Sequence, residues 1–204
     1  MTVAVSPARP LHDVRPQPAS AWTLRLAHRT SPSRVRVRRE VSSLSPSAAY
    51  VTLSPGLVAV IERSGPQVLA HQVLTHQEVG TAGMTVHQAW NETARSMRDA
   101  ACVGGEVEFW VREASTSMGS LTISGLEVGG AAARWCAHPM LFRTLHEHFE
   151  RVFAPAGELT YLTRDFNDLF IFRAPARDVA RALPAPGGGL IMRYSLGFPL
   201  VALR

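Results

Sequence analysis

Leu159-Thr-Tyr-Leu-Thr-Arg-Asp-Phe-Asn-Asp-Leu-Phe-Ile-Phe-Arg173 carries the reading on which the fold class turns. Two apolar runs, residues 158–163 and 169–173, flank the polar stretch Arg164-Asp-Phe-Asn-Asp168. Asp and Asn hydrogen-bond their own backbone in tight turns, and five residues are too few for the crossover that parallel strands require. The two runs are therefore expected to pair antiparallel. Toward the C-terminus, Pro175 opens a short helix through Leu183, a strand follows at residues 190–195, and residues 200–203 add a further short one.

Before this hairpin, Pro139 suits the first position of a helix, with His138 preceding it. Leu141, Leu145, Phe149 and Val152 form its apolar stripe, and Arg143, His146, Glu147 and Glu150 its solvated face. Residues 106–113 alternate: Val107, Phe109 and Val111 face one way, Glu106, Glu108, Trp110 and Arg112 the other. Residues 121–128 read as a second strand with a bulge at Gly125. Thr85-Val-His-Gln88 has capping-box spacing, and Val86, Trp90, Ala94, Met97 and Ala101 line one side of the helix it opens. Gly104-Gly105 is expected to close that helix. Residues 57–63 are apolar on both faces, as in a central strand covered on both sides, with strands at residues 50–53 and 67–74 beside it. Strands joined by tight turns and interleaved with about three helices predict a single α+β domain with a mostly antiparallel sheet.

That domain is expected to span residues 47–204, preceded by an Arg/Pro-rich tail at residues 1–46 that is expected to be disordered. Only Trp22 and its neighbours at residues 21–26 look able to pack there. The charge supports this division. All 21 basic residues are arginines, set against 16 acids, for a formal charge of +5 and a pI of about 10.2. Residues 1–40 hold eight of the arginines against two acids; residues 41–204 hold 13 against 14. A polyanion or nucleic-acid contact would therefore rest on the tail, where Arg34, Arg36 and Arg38 alternate with valines and Arg39 follows directly. An apolar content of 46% argues for a packed core. No run approaches the roughly 18 apolar residues of a membrane span, and no secretory h-region follows the start, so a cytoplasmic location and no membrane partner are expected.

Candidate sites are few. Cys136 precedes a helix N-terminus, where thiolate is stabilised, and His138 is near; together they are the candidate pair for a Cys/His or metal-dependent hydrolase, against a favoured reading of an inert buried thiol. His146 and His148 lie about 200° apart on a helix, which suits no shared metal ion, so no metal or cofactor is expected. Trp110, flanked by Glu108 and Arg112 on a polar face, is either an anchor for a protein or small ligand or a residue packed under a helix or the tail; the second is favoured. The nucleotide-loop, nucleophile-elbow and zinc-peptidase motifs are absent. A non-catalytic binding module is the leading expectation.

The stretch from Gly56 through Glu113, containing Ala89-Trp-Asn-Glu-Thr-Ala94, and the run from Leu159 to Asp168 resemble uncharacterised bacterial proteins of similar length, chiefly actinobacterial. The resemblance implies a cytoplasmic bacterial setting and assigns no activity to any residue.

Overall fold

The computed structural model describes residues 22–29, 44–63, 72–119, 121–153, 157–183 and 189–203. The architecture is α+β with antiparallel sheets, as expected. Strands β1 (Trp22–His28), β2 (Tyr50–Ser54), β3 (Leu57–Arg63) and β4 (Gln72–Val73) form one sheet, with β1 and β2 on either side of β3 and β4 also pairing with β3. Helices α1 (His76–Thr81) and α2 (Val86–Ala100) follow, then a small hairpin of β5 (Cys102–Val103) and β6 (Glu106–Val107). Next come β7 (Val111–Glu113), α3 (Ser115–Met118), β8 (Gly125–Val128), a 3-10 helix at Ala132–Ala137 and α4 (Pro139–Val152). Strands β9 (Leu159–Thr163) and β10 (Leu169–Arg173), helix α5 (Ala176–Ala182), and strands β11 (Leu190–Ser195) and β12 (Phe198–Leu203) complete the chain. The second sheet runs β12-β11-β9-β10-β8-β7, antiparallel throughout.

Residues 57–61 of β3 are wholly buried and serve two layers. Leu57, Ala59 and Ile61 enter the main core, while Val58 and Val60 pack with Ala27 on the other face. The main core also takes Leu24 and Leu26 from β1, Trp90 and Ala94 from α2, and Leu145 and Phe149 from α4. On its far face the six-stranded sheet sets Leu162, Phe170, Phe172 and Ile191 against Val179 of α5. Thr85 and Gln88 make the expected capping box at α2, and Thr75 and Glu78 make a second one at α1, which the pattern reading did not identify.

Four local readings need correction. Trp22–His28, inside the stretch read as tail, is an integral strand: Leu24 and Leu26 are fully buried, and Arg25 Nε donates to the buried Glu62 carboxylate at 2.6 Å. The four tail arginines, Arg34, Arg36, Arg38 and Arg39, lie outside the described residues. Gly104-Gly105 does not cap α2, which ends at Ala101. Both glycines have positive φ, 62° and 94°, and form the two-residue turn of the β5–β6 hairpin, whose twist requires that conformation. Gly125 is not a bulge but a ladder residue opposite Phe172, where any Cβ would lie 2.4 Å from the ring. Val152 leaves the α4 stripe and is 52% exposed, whereas Leu141, Phe142, Leu145 and Phe149 are the buried residues of this helix.

If β1 belongs to the core, Leu26→Ala should lower unfolding stability by about 2–5 kcal/mol. Urea unfolding checks this, and an unchanged midpoint would return the strand to the status of a dispensable tail.

Candidate functional site

Helices α2 and α4 pack on the main core, and their last turns, with the β5–β6 hairpin and the segment that follows it, enclose an open groove of about 930 Å³. The pattern of residues 106–113 foretold one continuous strand. The chain instead leaves β6 at Val107 and resumes as β7 at Val111, and residues 108–110 are irregular. Phe109 turns inward and fixes this segment, with its ring 5.0 Å from both Trp135 and His148 and 5.7 Å from Phe149. The next side chain, Trp110, is 84% exposed, while its carbonyl accepts from Gly129 N–H at 2.7 Å. A large aromatic is thus presented to solvent on a tethered backbone rather than packed beneath a helix.

Glu108 lines the groove with Trp110, but Arg112 does not. Its guanidinium makes two hydrogen bonds to Glu127 on β8, at 2.7 and 2.8 Å, and a third to Ser117. That bidentate pair holds Glu127 below the usual carboxylate range. Arg112 braces the sheet edge, so of the three residues singled out for binding the structure brings Glu108 and Trp110 together. The opposite wall comes from His148, Arg151 and Val152 of α4 and from Arg98 and Asp99 of α2, which pair with each other. Alternation along residues 106–113 cannot reveal these residues, because helical and strand segments contribute the two walls separately. Burial first, then the nearby Arg151, lowers the pKa of His148.

Cys136 and His138 sit elsewhere, and their geometry opposes the nucleophile reading. Cys136 is fully buried in the 3-10 helix, and desolvation pushes its thiol up, away from the thiolate that attack requires. Desolvation here outweighs the helix dipole that favours thiolate at this position. His138 is 5% exposed and caps α4: its Nδ1 accepts from Met140 N–H at 3.1 Å, so Nε2 carries the proton and donates to Asn91 Oδ1 at 3.1 Å. Both ring nitrogens are committed to structure.

His146, read from the helical wheel as solvated, is instead tied into the sheet. Its ring stacks on Tyr194 at 3.8 Å and 14°, and Nδ1 lies 2.6 Å from the hydroxyl of fully buried Tyr161. On its other side Nε2 is 3.3 Å from Glu150. Among the described residues no three His, Cys, Asp or Glu side chains converge as a metal site requires, and no helix is long and apolar enough to cross a membrane. No protein-family model, curated protein or solved structure matches the chain.

Two measurements follow from this geometry. Burial, then Arg95, depresses His138 to about 4, below the ordinary value of 6.5. Between these values the unfolded chain takes up a proton that the folded one refuses, so stability is full above about pH 6.5 and falls as pH drops toward 4. His146 and His148 are also lowered by burial and act in the same direction. His138→Asn, which keeps a capping acceptor, should reduce this loss when urea midpoints at pH 7 and pH 4.5 are compared. For the thiols, exposed Cys102 should react with a disulfide reagent in the native protein and Cys136 only after unfolding.

Proposed function

We propose that this chain is a non-catalytic binding module that captures a protein partner through the Trp110 groove. The observation that supports the reading is the 84% exposure of Trp110, set on a backbone tethered to Gly129 beside a concave surface. An indole in water forgoes the burial that makes tryptophan the commonest anchor of protein interfaces. The surrounding walls combine apolar Val107, Phe109 and Val152 with charges of both signs, a composition suited to an interface with an apolar centre and a polar rim.

The chemistry found elsewhere in the molecule favours binding over catalysis. The sequence-derived nucleophile is buried and protonated, its histidine is a helix cap, and His146 is tied to the hydroxyl of buried Tyr161.

Trp110→Ala removes the anchor and little else. Because the side chain is exposed, the unfolding free energy should stay within about 0.5 kcal/mol of the parent protein. Species captured from lysate by the immobilised parent protein should be lost or reduced several-fold with the variant. An unchanged capture profile would refute the groove as the binding surface.

A further inference from the structure

From the edge of the six-stranded sheet beside this groove, we infer that the partner is bound as an extended basic peptide strand added to β7, with Trp110 clamping one of its apolar side chains. The inference rests on the reading of the Trp110 groove as a binding surface. Among the described residues strand β7 ends the sheet on one side, and all three of its residues are exposed. Its register shows which main-chain groups are spent. Arg112 pairs with Glu127, Trp110 C=O accepts from Gly129 N–H, and Ala114 N–H donates to Gly125 C=O. In an antiparallel ladder alternate residues turn their main chain to the same neighbour, so the even positions are used on β8. The N–H and C=O of Val111 and Glu113 therefore face the open side, two residues apart, as an incoming strand requires.

Edge strands in native proteins are usually shielded by charge, proline or a covering element. In this three-residue strand Arg112 and Glu113 supply charge, and Val111, 46% exposed and directly after the exposed Trp110, is the apolar contact the edge offers. Charge selects the occupant. Glu106, Glu108 and Glu113 are exposed, and among the described residues none of them has an ion-pair partner, whereas Arg112 beside them is neutralised by Glu127. A second copy of this chain pairing β7 to β7 would bring two sets of the same acids together, which disfavours it. A strand in which arginine alternates with apolar residues satisfies both features: arginines reach the acids, and an apolar side chain meets Trp110.

The probe is a fluorescein-labelled octapeptide of alternating arginine and valine, titrated by anisotropy into the full-length protein. The expected result is saturable binding that weakens at least tenfold with Trp110→Ala and with the Glu108→Arg/Glu113→Arg double variant, with slowed amide exchange at Val111 and Glu113. A peptide N-methylated at every amide keeps the charges but lacks the donors, and should not bind. Equal binding of that peptide would refute strand addition. Equal or tighter binding of a glutamate–valine octapeptide would refute the basic chemistry, and a concentration-dependent dimer mediated by β7 in sedimentation would make a second copy the occupant instead. Failure of the arginine–valine peptide while Trp110→Ala still strips captured species would overturn this inference and leave the binding module standing.

Discussion

The two sheets and both long helices meet on one short element, the 3-10 helix Ala132–Ala137. Four of its six side chains, Ala132, Ala133, Cys136 and Ala137, are small and buried, so β1, β3, β12 and α4 can all approach it closely. Polar ties fix the docking. Trp90 Nε1 on α2 donates to Ala137 C=O at 2.9 Å inside the core, and Arg134 reaches Thr23 on β1 at 3.2 Å. This constraint also accounts for the chemistry that is missing. A cysteine serving as a small apolar spacer at a crowded junction is desolvated, and a desolvated thiol stays protonated. The chain leaves the junction directly into His138, whose ring is then committed to starting α4.

The groove is the outer consequence of the same docking. Helices α2 and α4 are fixed by their inner faces, and their last turns stand clear enough for the β5–β6 hairpin to close one side. Phe109 pulls the following segment down onto Trp135 and Phe149, and backbone continuity then places Trp110 outside. The inward and outward aromatics are adjacent in sequence, and each is a condition of the other.

Much of the molecule was legible because periodicity reports burial directly. The two-sided apolar run of β3, the capping box of α2, the proline start of α4 and the Asx turn at Asp165, which accepts from Asn167 and Asp168 N–H, all follow from local chemistry. The failures share a cause. Alternation at residues 106–113 suggested a strand, but the pull of Phe109 toward the core breaks the ladder at residues 108–110. The wheel of α4 put His146 in solvent because it cannot see Tyr161 and Tyr194 arriving from β9 and β11. The Pro-, Ser- and Arg-rich residues around it assigned β1 to a tail, although residues 21–26 alone looked able to pack, and it is pairing with distant β3 that makes them a strand.

The sequence by itself determined the fold class, the three longer helices, the hairpin turn at residues 164–168 and the prominence of Trp110, since each depends on neighbours within a few residues. Tertiary structure alone decided that Trp110 is exposed, that Arg112 is spent on Glu127, that Cys136 is sealed and that β7 is an open edge. Those properties depend on which distant surfaces come into contact, and desolvation and strand order are set by contacts that no local pattern contains.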